Sequence, residues 1–283
     1  MNGYDIIGDV HGYALLLKIL LKQLGYTAKE NSYFHPLGRK IVFVGDLINR
    51  GPDSIKVLSL IRKMHSEKQA FCVLGNHEFR LIQNFVKKPS SIDRNLVEFI
   101  PWIKSLPFFL EFPQFRVVHA AWHFSSVEKL KNQSAKDDNF IFSTMLPKSE
   151  FKKSVQILLQ GIQVTLPKNW SYYDRFGIKR EKARMRWWEK ERYNINGSNF
   201  FPKSEKYIHS SFKKNAELEI EYYPKSEKPV FVGHYCLPPK EPKINDHIIC
   251  VDGCVTCDKV LWAYQYNNDR VINEDGLIST KEI

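Results

Sequence analysis

The sequence predicts an α/β sandwich, and two observations support this fold class. Short apolar runs rich in β-branched and aromatic side chains recur along the chain, and each ends at a glycine or a polar cluster, as buried strands do. These runs cover residues 4–7, 40–44, 70–74, 115–118 and 229–232. Between the first of them lie stretches with helical character, at 13–24, 54–65 and 79–87. Strands that alternate with helices favour a sheet covered by helices.

The composition is that of a globular protein. The chain has 283 residues, of which 43% are hydrophobic and 26% charged, and these values exclude a disordered, collagen-like or coiled-coil chain. No apolar run approaches the roughly 18–20 residues that a bilayer requires, and the first residues show no signal-peptide pattern. The five cysteines are an odd number, which favours free thiols in a reducing compartment. We therefore expect a cytoplasmic protein that does not associate with membranes.

The positive charge is concentrated in one segment. Of the net charge of +11, residues 151–228 supply +8, with 17 Lys and Arg against 9 Asp and Glu. We interpret residues 1–283 as a single domain in which residues 151–228 form a basic, aromatic-rich insertion or cap. Aromatic rings interleaved with cations suit a nucleotide, but the same rings also suit packing onto the core, and both interpretations stay open.

Polar side chains follow each predicted strand at its carboxyl end, where ligands bind in α/β folds. Their oxygen and nitrogen donors suit borderline divalent ions such as Mn²⁺, Fe²⁺ or Zn²⁺. If one carboxylate bridges, the set describes a two-metal site of the kind that catalyses phosphoryl displacement. The candidate ligands are Asp9, His11, Asp46, Asn76, His119 and His234.

Three motifs carry a resemblance to a known family. The runs GDVHG at 8–12, GDLINRG at 45–51 and GNHE at 75–78 resemble the signature blocks of the calcineurin-like metallophosphoesterases. They match most closely the phosphoprotein-phosphatase branch, which includes bacterial diadenosine-tetraphosphatase-like enzymes. The run KEPK at 240–243 is most similar to the asymmetrical bis(5′-nucleosyl)-tetraphosphatases. The resemblance covers about residues 1–150 and 229–270.

The resemblance implies a metallophosphoesterase-type β-sandwich flanked by helices (α/β/β/α), with a mainly helical inserted cap. By that resemblance Asp9 and His11 hold the first of two divalent ions, and Asp46 bridges to the second. Asn76, His119 and His234 complete the second site. Manganese is the expected metal, with Fe²⁺, Zn²⁺ and Ni²⁺ as alternatives.

The resemblance also assigns residues to the phosphate. His77 would protonate the leaving oxygen as a general acid, and Arg50 would bind the phosphate. The family commonly supplies a second phosphate-binding arginine from the inserted segment. We assign it to Arg186, with Arg184 as the other choice, on a helix expected over residues 180–190.

Three positions depart from the family pattern. Asn49 stands where the family usually has an aspartate beside the general acid, so we expect weaker general-acid catalysis by His77. Cys236 stands where many relatives have another metal-binding histidine, and we interpret it as a neighbour rather than a ligand. His119 is assigned as the ligand in preference to His123, because His119 ends the apolar run.

A cluster of three cysteines over residues 250–257 could be a zinc site or a set of free thiols. Cys250, Cys254 and Cys257 could suggest zinc, but they lack two well-separated pairs, and Cys250 lies in an apolar run. We interpret them as buried or incidental thiols.

The expected activity is two-metal-dependent hydrolysis of phosphate esters or anhydrides by direct attack of metal-bound hydroxide, most of all on dinucleoside polyphosphates. Two other enzymes remain as alternatives, a Ser/Thr or Tyr protein phosphatase and a nucleic-acid end phosphatase. A weakly catalytic binding protein is suggested only by Asn49. Because the catalytic frame is nearly neutral, nucleic acid ranks behind nucleotides and phosphoproteins as a partner. The sequence does not indicate an oligomeric state.

Overall fold

Two five-stranded sheets form the centre of the molecule. A computed structural model describes residues 3–189, 194–213, 221–239, 241–245, 247–267 and 272–280. The strands in chain order are β1 (Tyr4–Ile7), β2 (Thr27–Lys29), β3 (Ser32–Phe34), β4 (Lys40–Phe43), β5 (Ala70–Cys72), β6 (Phe109–Glu111), β7 (Arg116–Val118), β8 (Gln163–Thr165), β9 (Tyr172–Tyr173), β10 (Lys179–Arg180), β11 (Lys182–Arg184), β12 (Asn194–Ile195), β13 (Phe212–Lys213), β14 (Val230–Val232), β15 (Ile244–Asn245), β16 (Ile248–Cys250), β17 (Trp262–Tyr266) and β18 (Leu277–Ser279).

Each central sheet has parallel strands in its middle. The first sheet has the order β18-β17-β1-β4-β5, with β1, β4 and β5 parallel to one another. The second has the order β15-β16-β14-β7-β6, with β16, β14 and β7 parallel. Antiparallel strands close both edges of the second sheet and one edge of the first. The carboxyl ends of the parallel strands carry the polar clusters that the sequence singled out.

Helices cover the outer faces. They are α1 (Ala14–Gln23), α2 (Ser54–Ser66), α3 (Asn76–Lys87), α4 (Arg94–Val97), α5 (Ile100–Ile103), α6 (Phe124–Leu130), α7 (Asp138–Met145), α8 (Glu150–Gln160) and α9 (Val255–Asp258). The three predicted helices correspond to α1, α2 and α3, and α3 begins three residues earlier than expected. Within the described residues, no helix is long and apolar enough to span a bilayer.

The alternation of side chains along the strands builds the layers. Ile6 and Val42 are fully buried and pack with Phe231 and Ile249 of the other sheet in one cluster. Ile7, next in the chain, belongs instead to the larger cluster that includes the helices. Because successive strand residues point to opposite faces, one set joins the sheets and the other holds the helices. The predicted α/β sandwich with helices on its outer faces is therefore confirmed.

The inserted segment differs from its prediction. After α8 the described part of residues 161–213 contains short strand pairs and 3-10 turns and no α-helix, so a mainly helical cap is wrong. In place of the helix expected over residues 180–190 the structure has the end of β10, then β11 and a turn, and the last residue, Lys190, lies outside the described residues. Residues 185–188 are all buried, so the segment has no exposed helical face. Ala183 pairs with Val164 of β8, a partner distant in sequence.

Candidate metal centre

The structure brings the six predicted ligands to one place. Each follows the carboxyl end of a parallel strand, and Asn76 is also the first residue of α3. Asp9, His11, Asp46 and His119 are buried, and His234 is half-buried. The parallel order of both sheets is the reason, because it directs all the strand ends to the same edge of the sandwich.

Asp46 lies at the centre of the cluster. Its Oδ2 atom is 3.4 Å from Nε2 of His119, 3.8 Å from Nε2 of His11 and 3.9 Å from Nε2 of His77. Asp46 also belongs to two of the groups of side chains that could hold a metal ion, His11–Asp46–His77 and Asp46–His119–His234. A carboxylate shared by two donor groups has the placement that a bridging ligand requires.

Two histidines are oriented by backbone carbonyls. The Nδ1 atom of His11 is 3.0 Å from the carbonyl oxygen of Ile48, and Nδ1 of His119 is 2.8 Å from that of Val44. A ring nitrogen that faces a carbonyl must carry the proton and donate it. The other nitrogen, Nε2, then offers its lone pair toward Asp46, as histidine ligands of metals commonly do.

The atoms around Nε2 of His119 show whether a cation would fit at this position. This nitrogen faces two acceptor oxygens, Asp46 Oδ2 at 3.4 Å and Asn76 Oδ1 at 3.1 Å. Burial would lower the pKa of His119, but the adjacent Asp46 carboxylate raises it. Three acceptors that converge need a positive centre between them, which is either a proton or a metal ion. The donor set therefore fits a divalent ion.

His234 and Asp9 supply a second indication. Among the described residues, Nε2 of His234 is buried without a hydrogen-bond partner, and burial holds the pKa of His234 well below its usual range. Burial and the carboxylates of Asp252 and Asp46 raise the pKa of Asp9 well above normal. A cation at this point would give the His234 lone pair a partner and relieve the repulsion between the carboxylates.

The loop that carries Asp46 is held by Glu78. The Glu78 carboxylate is fully buried and accepts hydrogen bonds from the backbone N–H groups of Asp46 at 2.8 Å, Leu47 at 2.9 Å, Ile48 at 3.2 Å and Gly75 at 3.1 Å. Burial, together with the nearby Asp46 carboxylate, raises the pKa of Glu78 to about 7. Sequence reasoning missed this role, although Glu78 completes the GNHE motif.

The same loop contains residues in the left-handed region of backbone space. Asp46, Asn49 and Arg50 have φ values of +52°, +68° and +68°. Such conformations cost about 1–3 kcal/mol for residues other than glycine and persist where surrounding contacts impose them. The Glu78 hydrogen bonds supply those contacts at the Asp46 end. The Asn49 end is tied by its N–H, which donates to Oγ of Ser54 at 3.0 Å.

His77 lies beside the predicted ligands. Its N–H donates to Oδ1 of Asp46 at 3.0 Å, and its Nδ1 is 2.8 Å from the side-chain nitrogen of Asn49. Burial lowers the pKa of His77 to about 4, and the nearby Arg50 guanidinium adds to this effect, although Asp46 opposes it. The predicted pairing of His77 with residue 49 is thus present in the structure.

Of the two candidate second arginines, Arg184 lies at the site and Arg186 does not. Arg186 donates to Glu189 Oε1 at 2.8 Å and to Asn245 Oδ1 at 3.1 Å, so the assignment of Arg186 to the phosphate is wrong. Arg184 lines the same cavity as Asp46 and Arg50. Arg184 is the last residue of β11, where it pairs with Gln163, another residue that lines the cavity, whereas Arg186 lies beyond the end of this strand.

This cavity joins the candidate metal centre to the inserted segment. Its volume is about 860 Å³, which lies within the range of small-molecule sites. One end contains the predicted metal ligands, and the other end is lined by aromatic and basic side chains of the insert. The latter include Tyr172, Tyr173, Phe176, Lys179, Lys182 and Lys203.

The cysteines differ from the expectation of free thiols. Cys236 and Cys254 form a disulfide, while Cys72, Cys250 and Cys257 are free. The Asp252 carboxylate explains the pairing, because it accepts the N–H of Cys236 at 2.6 Å and that of Cys254 at 2.8 Å and so brings the two loops together.

Comparison with known proteins places the chain in a family. Residues 4–238 match the family model described as calcineurin-like phosphoesterase. The chain is 51% identical over 81 residues to the asymmetrical bis(5′-nucleosyl)-tetraphosphatase PrpE of Oceanobacillus iheyensis, which is 29% of this chain and 32% of the relative. It is 43% identical over 93 residues to the PrpE of Halalkalibacterium halodurans, covering 33% of this chain and 38% of the relative. The match thus spans about a third of the length of these curated relatives.

A solved structure supports the fold. The cold-active protein-tyrosine phosphatase of a psychrophilic Shewanella covers 95% of this chain and 76% of its own, with a TM-score of 0.53 and 15% identity. At this identity the likeness concerns the fold alone. The family match extends over most of the chain and includes all six candidate ligands. The chain belongs to the calcineurin-like phosphoesterase family, whose enzymes use a pair of divalent metal ions.

Proposed function

We propose that this protein is a metal-dependent phosphoesterase that hydrolyses phosphate esters or anhydrides, with dinucleoside polyphosphates as preferred substrates. One observation carries the proposal, the position of the Asp46 carboxylate within 3.9 Å of Nε2 of His11, His77 and His119. A buried carboxylate surrounded by imidazole nitrogens serves as a metal bridge far more readily than as packing, since burial of such groups is costly without charge compensation.

The predicted ligands divide into two sets around Asp46. Asp9 and His11 would hold one ion, and Asn76, His119 and His234 the other, with Asp46 contributing to both. When bound, the ions would activate water for attack on phosphorus and neutralise charge on the phosphoryl oxygens. The mixture of oxygen and nitrogen donors suits borderline divalent ions, and Mn²⁺ is the metal we propose, with Fe²⁺, Zn²⁺ and Ni²⁺ as alternatives.

Other residues of the chain would act on the substrate directly. Arg50, exposed at the cavity, would bind phosphoryl oxygens through its planar fork of N–H donors. Arg184 would supply a second cation from the opposite wall. His77 would carry the proton for the leaving oxygen on Nε2, while Asn49 fixes the ring through Nδ1.

Two findings favour a nucleotide over a phosphoprotein. The relatives that match about a third of the chain are named as bis(5′-nucleosyl)-tetraphosphatases. The cavity that contains Asp46 is also lined by Tyr172, Tyr173, Lys179 and Lys203. Aromatic rings beside cations suit bases and their phosphates. We therefore propose that residues 151–228 cap a single catalytic domain and bind the substrate.

A substrate panel tests the proposal. The protein with Mn²⁺ would be assayed on diadenosine tetraphosphate, on phosphoserine and phosphotyrosine peptides, and on oligonucleotides with 5′- or 3′-phosphates. We expect the largest kcat/KM on diadenosine tetraphosphate. Faster turnover of the peptides would identify a protein phosphatase instead. Preference for the oligonucleotides, with a steep dependence on salt, would identify a nucleic-acid end phosphatase.

A further inference from the structure

Arg50 is contacted by a residue of the inserted segment. Its guanidinium carbon lies 4.3 Å from the centre of the Phe176 ring, well within the range of a cation–π contact. Within the described part of the chain, Arg50 has no hydrogen bond or ion pair that would hold its side chain. The Phe176 ring is therefore the group that orients this guanidinium.

The contact leaves Arg50 able to bind an anion. The guanidinium carbon lies over the ring, and the N–H donors of the group have no hydrogen-bond partner among the described residues. These donors are available to a phosphate while the ring restricts the rotamers of the side chain. Arg50 and Phe176 both line the cavity that contains Asp46.

The turn that carries Phe176 is rigidly built. It joins β9 to β10, and hydrogen bonds to the Asp174 carboxylate stabilise it. One carboxylate oxygen of Asp174 accepts the N–H groups of Phe176 at 2.9 Å and Ile178 at 3.0 Å, and the other accepts Arg180 Nε at 2.8 Å. These hydrogen bonds therefore fix the backbone conformation at Phe176.

A second contact fixes the turn to the catalytic frame. Arg175 donates from two nitrogens to the Asp258 carboxylate, at 3.0 and 2.6 Å, and also donates to the carbonyl oxygen of Leu237 at 2.9 Å. A bidentate pair of this kind gives geometric precision as well as attraction. Phe176, next in the chain, is thereby held at a set distance from the strand ends.

We propose that Phe176 is a positioning residue that orients Arg50 for phosphate binding, so that the 174–178 turn couples the inserted segment to the phosphate site. The inference rests on the proposed role of Arg50 as a phosphate ligand. It assigns the insert a function in organising the site in addition to any contact with the rest of the substrate.

The test compares variants of both residues. The measurements are KM and kcat on p-nitrophenyl phosphate with Mn²⁺, and the inhibition constant of inorganic phosphate. Phe176→Leu removes the ring but keeps an apolar side chain. Phe176→Trp retains an aromatic ring and so tests whether a ring is sufficient. Ile178→Ala is the matched control, since this exposed side chain on the same turn does not line the cavity.

We expect Phe176→Leu to raise KM and the phosphate inhibition constant by about two- to fivefold, the range of an exposed cation–π contact, with a smaller change in kcat. Phe176→Trp should recover most of the loss that Phe176→Leu causes, and Ile178→Ala should retain wild-type values. In an Arg50→Ala background, Phe176→Leu should have no further effect, because the ring acts through the guanidinium. Circular dichroism of each variant checks that it folds.

The kinetic comparison of Phe176→Leu with Arg50→Ala has two outcomes that would overturn the inference. One is an effect of Phe176→Leu that is equally large in the Arg50→Ala background, which would mean that the ring acts independently. The other is an unchanged KM in Phe176→Leu while Arg50→Ala raises it. If Arg50→Ala itself changes neither constant, the phosphate role of Arg50 fails, and the inference fails with it.

A readout independent of activity separates this inference from the proposed function. A stacked ring shifts the NMR signal of the Arg50 side-chain N–H upfield, and Phe176→Leu should remove that shift in metal-free protein. If the wild type shows the shift but no metal-dependent hydrolysis, the proposed function is wrong while the stacking stands. Absence of the shift would contradict the positioning role whatever the activity.

Discussion

The side-chain nitrogen of Asn49 lies 2.8 Å from Nδ1 of His77. The amide fixes the ring but brings no negative charge to an imidazole whose pKa is lowered to about 4 by burial and by the Arg50 guanidinium. A general acid must carry its proton at the working pH. The pairing therefore favours orientation of His77 over stabilisation of its protonated form.

Asn49→Asp should strengthen the general acid. A carboxylate in contact with Nδ1 stabilises the imidazolium and raises the pKa of His77, by about one to three pH units. Activity that needs protonated His77 is lost as pH rises through this pKa, so the alkaline limb of the pH–rate profile should move to higher pH. At neutral pH we expect about a tenfold gain in kcat on an alkyl phosphate and little gain on an aryl phosphate.

The comparison of leaving groups decides this prediction. An aryl leaving group needs little protonation, so it serves as the internal control for changes in metal binding or fold. An equal response of both substrates to Asn49→Asp would count against His77 as the proton donor.

Substitution of two nearby arginines should have different consequences. Arg184 lines the cavity, whereas Arg186 is paired with Glu189 and Asn245. Arg184→Ala should raise KM about tenfold, the value of one hydrogen bond to a charged group. Arg186→Ala should lower the free energy of unfolding and leave KM near the wild-type value. Steady-state kinetics and urea denaturation of both variants would reveal the reverse pattern if the assignment were wrong.

Loss of the Glu78 carboxylate should loosen the Asp46 loop. Glu78→Ala leaves four backbone donors without their acceptor, so we expect the free energy of unfolding to fall by about 3 kcal/mol or more. Affinity for Mn²⁺ should fall about 10- to 100-fold, because the bridging carboxylate loses its support. Urea denaturation without metal and calorimetric titration with Mn²⁺ measure the two effects.

Arg80→Ala is the control for Glu78→Ala, since Arg80 is an exposed residue of the same helix. Wild-type stability and metal affinity in Glu78→Ala would refute the supporting role. A Glu78→Gln variant, which keeps one acceptor oxygen, should fall between the two.

The cysteine pairing predicts a thiol count. Denatured protein that has not been reduced should show three thiols by a colorimetric thiol reagent, from Cys72, Cys250 and Cys257, and five after reduction. Cys257→Ser should lower both counts by one. Five thiols before reduction would show that Cys236 and Cys254 are not joined in the purified protein.

The sequence predicted the sandwich and the cluster of candidate ligands because their signals are local. GDVHG, GDLINRG and GNHE each combine a strand end, a turn and the donor residues in a few positions, so Asp9, Asp46 and Asn76 could be placed without knowing the rest of the chain. His119 and His234 were found by the same rule, that the donor follows the apolar run.

The remaining features depend on contacts between distant segments. The strand character of 182–184 comes from pairing with β8, and Arg184 pairs there with Gln163, which also lines the cavity. The Cys236–Cys254 disulfide depends on the hydrogen bonds by which Asp252 holds two loops together. The contact of Phe176 with Arg50 depends on how the inserted segment packs against the catalytic frame. Residue patterns within one segment cannot indicate such partners.

The central claim is that Asp46 organises a two-metal hydrolytic site, and a metal titration of wild type and Asp46→Asn tests it most directly. Hydrolysis of p-nitrophenyl phosphate by chelator-treated wild type should be absent and should return with Mn²⁺. Asp46→Asn should lower kcat/KM by roughly 100-fold or more, since the ions supply several kcal/mol of transition-state stabilisation. Activity that persists without metal, or that is unchanged by Asp46→Asn at saturating Mn²⁺, would contradict the account.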